Sequence, residues 1–239
     1  MLAAMLAAFL ARGGFSRSRL LWFFGAEFLL ASTVSSPLDV LAREYLFTAE
    51  AVERVVIGMA VPYLFILSMP PALSFGMNRG VNRYVAWIAG IGSLLIWFLP
   101  GPLKQAVASE TMRGVEYATL IAGGVIFWWP IHAPDSARRL PMVPTSLIYL
   151  TAATIWCSIA GLFLAFEQPS LFSFYSASKD TLHIANSLLI DWSFSRENDQ
   201  QTGGLLFWIG SATVLLSEIM AIYFRWYRSA EVREEFKGR

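Results

Sequence analysis

The sequence predicts an all-α membrane protein, a polytopic bundle of about six transmembrane helices preceded by a short N-terminal apolar helix. Its 239 residues are 56% hydrophobic and only 15% charged, with a mean hydropathy of +0.54, well beyond a soluble domain of ordinary composition. Six separate stretches each supply about 20 mainly apolar residues, the length that crosses hydrocarbon with every backbone N–H and C=O bonded internally. None of them alternates polar and apolar residues as a lipid-facing barrel strand does.

The elements follow in order. Met1–Ala11 is apolar but about half a span long, and Arg12, Gly13 and Gly14 follow it without a preceding basic region, so residues 1–14 are read as a short helix, with a clipped seventh span as the alternative. The spans lie near 19–36, 52–74, 83–100, 116–133, 145–166 and 204–224. Pro62, Pro70 and Pro71 should kink or shorten the second, because proline removes a helix donor and clashes one turn back. Ala86, Gly90, Ser93, Gly123 and Gly124 offer small surfaces for close helix approach in lipid. Every connection is short except 167–203, which predicts one membrane domain over 1–239. Within that long segment Leu182, Ile184, Ala185, Leu188 and Leu189 recur at helical spacing, as in a helix lying on the membrane surface or docked on a partner subunit. The mixed-sign tail 225–239 reads as a solvated extension of the last span.

Lysine and arginine divide twelve to six between the two sides of this topology, which places the C-terminus in the cytoplasm and 37–53, 101–115 and 167–203 outside. The lone Cys157 falls mid-span, so no disulfide can form within one chain. No nucleotide-binding loop, zinc motif or nucleophile with its base is present, and the predicted protein is not an enzyme and takes no nucleic acid.

Several strings, in order, resemble the multi-pass CtaG family of cytochrome c oxidase assembly factors over roughly residues 15–230. They are Ser36-Pro37-Leu38-Asp39, Phe127-Trp128-Trp129-Pro130, Gly161 with Phe166 and Tyr175, and Asp199-Gln200-Gln201 with Gly204 and Trp208. The resemblance implies a membrane protein that helps mature a haem–copper oxidase by handling copper on the outer side. It also implies histidines at three positions that here read Glu50, Arg54 and, after Glu116, Tyr117. Copper calls for imidazole, thiolate or thioether donors, and a guanidinium has no lone pair to give. An i,i+4 ion pair between Glu50 and Arg54 is expected instead.

The expected role is therefore that of an assembly factor or non-catalytic accessory subunit of a haem–copper oxidase or comparable respiratory complex, with no cofactor. Its partners are the lipid bilayer and the subunits of that complex. Glu50, Arg54, Glu116, Tyr117, Asp199 and Gln200 form its docking face or degenerate metal face. Asp199 also has a capping explanation at the start of the last span. One alternative is copper delivery through other ligands, for which His183 with methionines is the candidate set; His132 lies on the opposite side of the membrane. Another is a small proton or solute transporter built on the intramembrane acids Glu27 and Glu218, placed at similar depth.

Overall fold

The computed structural model describes residues 16–70, 82–133, 143–167, 183 and 195–237, and the elements expected at 1–14 and 182–192 lie outside the described residues apart from His183 itself. The described chain is helical throughout, without strands. The elements are α1 (Arg17–Val34), α2 (Pro37–Val40 continuing as the π turn Leu41–Tyr45), α3 (Phe47–Ser68), α4 (Arg83–Ile96), α5 (Pro100–Ala108), α6 (Glu110–His132), α7 (Val143–Phe166) and α8 (Arg196–Lys237). Four of them, α3, α6, α7 and α8, are long and apolar enough to cross a membrane. The count reaches six if the bent pairs α1–α2 (45°) and α4–α5 (65°) are each one span.

Local chemistry sets the helix starts. Ser36 Oγ accepts the Leu38 N–H at 3.1 Å with Pro37 at the first position, Asn82 Oδ1 accepts Tyr84 N–H at 2.9 Å, and Ser195 Oγ accepts Asn198 N–H at 3.1 Å. α3 begins after Leu46, which has no side chain able to do this, and its N-terminus is served from elsewhere.

α3 is the central helix: 61% of its most apolar stretch is buried, against 33% for α7 and 28% for α8, whose outer sides carry exposed Ile155, Trp156, Phe163, Ile209 and Leu216 toward lipid. It packs on α1, α6 and α8, while α7 pairs along its length with α8 and α4 with α6. Glycines make these crossings close. A Cβ on Gly161 would lie 2.9 Å from Gly204 O, and one on Gly204 would lie 2.5 Å from Ala165 N, so α7 and α8 touch backbone to backbone.

Inside α3, residues Val56–Ala60 form a wide π turn, closed by Val61 N–H on Val56 O. Pro62 follows and cannot donate to Gly58 O, as the sequence foresaw for a proline here. The backbone at this turn is used in packing: Trp128 Nε1 donates to Met59 O at 3.1 Å, and α6 approaches so closely that a Cβ on Gly124 would meet Gly58 O and the Pro62 ring.

The segments expected on the outer side, 37–53 and 101–115, fold as α2, the first turns of α3, α5 and the start of α6. Of their charged residues Asp39, Glu50, Glu53 and Arg113 turn inward and pair, whereas Lys104 and Glu110 stay exposed.

Candidate functional site

The starts of α3 and α6 and the whole of α2 meet at one end of the bundle, here termed the Arg113 end, where they enclose a cluster of charges. From α3 come Glu50, Glu53 and Arg54, one helical turn apart and so on one face. α6 contributes Arg113, Glu116 and Tyr117 by the same spacing, and α2 adds Asp39 and Arg43. Glu50, Glu53, Arg54, Arg113 and Glu116 are no more than 2% exposed. The cluster sits within about 9 Å of the start of α6, six residues at 1.5 Å each.

Arg113 is the hub. Its Nη1 lies 2.5 Å from Glu50 Oε1 and 3.2 Å from Glu116 Oε2, its Nη2 lies 2.5 Å from Glu53 Oε2, and its Nε donates to Tyr117 Oη at 2.9 Å. Arg54 reaches Glu50 Oε1 through Nη2 at 2.7 Å, the expected i,i+4 pair, and Glu116 Oε1 through Nε at 2.6 Å. The Phe98 ring covers the Arg54 guanidinium, its centroid 4.6 Å from Cζ, and Phe98 packs edge-on against Phe47 and Phe207. Tyr117 Oη contacts Asp39 Oδ1 at 2.7 Å and makes a very short hydrogen bond with Glu53 Oε1. Asp39 Oδ1 also accepts Arg43 Nε at 2.9 Å. Glu50 Oε2 and Arg54 Nη1 have no partner among the described residues.

Of the residues singled out in the sequence, Glu50, Arg54, Glu116 and Tyr117 thus come together. Asp199 and Gln200 lie beside them but do other work. Asp199 caps not its own helix but α3: its carboxylate accepts Phe47 N–H at 2.8 Å and Thr48 N–H at 2.9 Å, while its carbonyl accepts Thr48 Oγ1 at 2.9 Å. Gln200 Nε2 donates to Leu164 O at 3.0 Å and Glu167 O at 2.7 Å, tying the end of α7 to the start of α8. Replacing Asp199 with Ala should cost about 2 kcal/mol, since two buried N–H groups lose a charged acceptor. Asp199→Asn should lose less, and thermal unfolding in detergent compares the two.

Glu53, Arg113 and Asp39 were not picked out by sequence reasoning as site residues. The signal was present for two of them: Glu53, three residues after Glu50, and Arg113, one turn before Glu116–Tyr117, share the faces of residues that were chosen.

The intramembrane acids separate. Glu218 on α8 is 2% exposed and belongs to a second cluster at the opposite, Arg225 end, where Tyr63 Oη donates to its Oε2 at 2.8 Å and Arg225 Nη2 to its Oε1 at 2.7 Å. His132 Nε2 stands 3.2 Å from the same Oε1, with its ring against Tyr63 and Trp128. Glu27 on α1 is partly exposed and has no contact with this group, so the two acids expected at similar depth are not brought together. His183 is exposed, with a left-handed backbone (φ 54°). Cys157 is buried as a free thiol.

Chemically, the Arg113-end cluster is a set of hard oxygen donors already claimed by guanidinium N–H groups. Among the described residues no group of three or more His, Cys, Asp or Glu side chains is arranged to hold a metal ion. What the cluster can do is lock three helix ends in fixed register and hold charge out of water.

Comparison with known proteins gives three findings. An uncharacterized protein of Mycobacterium leprae (strain TN) is 22% identical over 221 residues, covering 80% of this chain and 32% of that relative, so the chain spans about a third of its length. No solved structure matches the chain. The profile of the cytochrome c oxidase caa3 assembly factor family matches residues 3–229, nearly the whole sequence, and the chain belongs to that family.

Proposed function

We propose that this protein is a non-catalytic assembly factor or accessory subunit for a haem–copper oxidase or comparable respiratory complex, and that it works without binding copper. The observation that carries the second half is the fate of the three positions that match the family's histidines. Glu50 Oε1 and the Arg54 Nε and Nη2 groups are engaged with each other, Arg113 and Glu116, and the Tyr117 hydroxyl is taken up by Arg113, Asp39 and Glu53. None is a soft donor, and two guanidinium cations within 3 Å of the carboxylates oppose any further cation by direct repulsion.

Membership of the family supports a bacterial plasma membrane, and the lysine and arginine distribution supports the Arg225 end and C-terminus in the cytoplasm, so the Arg113 end faces outward. On that side the locked ends of α2, α3, α6 and α8 form a rigid platform. Glu50, Arg54 and Glu116 set its shape from within rather than touching a partner, because they are covered, while Tyr117 is half-buried. A partner subunit would meet the surfaces of α2, α5 and the start of α8 instead.

Purification from gently solubilised membranes tests both halves. Oxidase subunits should accompany the protein, and elemental analysis should find copper well below one equivalent, unchanged by His183→Ala. One tightly held copper per chain would overturn the metal-free reading. Reproducible co-purification with an unrelated complex alone would overturn the respiratory one.

A further inference from the structure

We infer that Glu53 is a neutral carboxylic acid, so that the buried cluster is a binding site for one exchangeable proton. Two independent counts lead to it. The first is of hydrogens at Tyr117 Oη, which has one hydrogen to give and two lone pairs. One lone pair receives Arg113 Nε–H. Two carboxyl oxygens, Asp39 Oδ1 and Glu53 Oε1, then stand at hydrogen-bond distance from the same hydroxyl. Its single hydrogen serves one of them, and the other contact needs a hydrogen from the carboxyl side.

The second count is of charge. Asp39, Glu50, Glu53 and Glu116 bring four carboxyl groups, whereas Arg43, Arg54 and Arg113 bring three cations. One bound proton makes the cluster neutral, which is what burial demands. Neighbouring elements do not change the balance: on α8, Asp199 is engaged by Phe47 and Thr48 and Arg196 donates to Tyr45 O, and on α5 Lys104 is exposed. Glu44 follows Arg43 on the π turn of α2 and is partly exposed.

The contacts also say which acid carries the proton. Both Glu116 oxygens face guanidinium N–H groups, and Glu50 Oε1 faces two of them. A hydrogen on Glu50 Oε2 would find no acceptor, since that atom is unpartnered. Asp39 Oδ1 accepts Arg43 Nε–H, as a carboxylate does. Only Glu53 fits a protonated form: Oε2 accepts from Arg113 as its carbonyl, and Oε1–H donates to Tyr117 Oη, whose own hydrogen goes to Asp39. The proton can leave by the same chain. The Glu53 O–H bond breaks as a new one forms at Tyr117 Oη, the tyrosine's original hydrogen passes to Asp39, and Asp39 gives it to water. Asp39 and Arg43, with side chains 12% and 28% exposed, are where the cluster reaches solvent. No described contact continues toward Glu218, so exchange is confined to the Arg113 end.

Infrared spectroscopy of the purified full chain in lipid nanodiscs tests this, read as the C=O stretch of protonated carboxyl groups and its shift in D2O. Glu53→Gln should remove one carboxyl equivalent per chain from that band, and Asp39→Asn should remove none. Equal band areas in wild type and Glu53→Gln, or a loss caused by Asp39→Asn instead, would overturn the assignment. Folding does not confound the result, because the Gln amide reproduces both hydrogen bonds of the neutral acid. A second readout is the melting temperature against pH. The wild type should lose stability relative to Glu53→Gln as pH rises and the proton leaves, and parallel profiles for the two would count against the site.

Discussion

Arg113→Met is expected to lower the stability of the folded protein by about 3–5 kcal/mol, the usual consequence of removing one partner from a buried ion pair. The loss comes less from the attraction given up than from what stays behind. Glu50, Glu53, Glu116 and the Tyr117 hydroxyl would all lose a donor in a place 2% exposed or less for the acids, with Arg54 left as the one buried cation of the cluster among the described residues. Arg113→Lys should recover little, because a compact ammonium cannot span the fork that now reaches two helices at once. Adding Glu50→Gln to Arg113→Met removes the excess negative charge and should restore part of the stability. Thermal unfolding of the three variants in one detergent measures the order, and full stability of the single Arg113→Met variant would mean that the cluster does not hold the helix ends.

Gly204→Val should be nearly as damaging, by about 3 kcal/mol, at the upper end of what overpacking costs. The added Cβ would fall 2.5 Å from Ala165 N and 2.7 Å from Gly161 O, both backbone atoms that cannot swing aside. α7 and α8 must then separate along the most extensive helix pairing of the fold. In lipid there is little hydrophobic force to close the gap again, because helix association there rests on close packing. Gly92→Ala is the natural control: nothing lies within 4 Å of its Cβ position, and its melting temperature should match the wild type.

How much of this was legible beforehand varies element by element. Spans such as α7, read near 145–166 and found at Val143–Phe166, follow from the bilayer's demand for a continuous apolar run and needed no further information. The start of α3 did not, because hydropathy treats each charge as alone in lipid. Glu50, Glu53 and Arg54 would each be costly there singly, but together with Arg113 and Glu116 they nearly cancel, so the helix begins at Phe47 rather than near 52. Glu50 with Arg54 was readable, since i,i+4 spacing is local. Arg113 to Glu50, sixty-three positions apart, was not. Asp199 shows the same limit: an acid at a helix start suggests a cap, but which helix it caps is decided by how α8 lies against α3.

The wide turn at Val56–Ala60 has one more effect, on angular phase. An extra residue in a helix swings everything beyond it by about 100°, the rotation per residue of an α-helix. Glu50, Glu53 and Arg54 before the turn are thereby aimed at α6, while Tyr63 beyond it reaches Glu218 on α8. A straight rod could not satisfy both orientations with this spelling, so the bulge lets one continuous rod serve two unrelated polar neighbourhoods at opposite ends of the bundle.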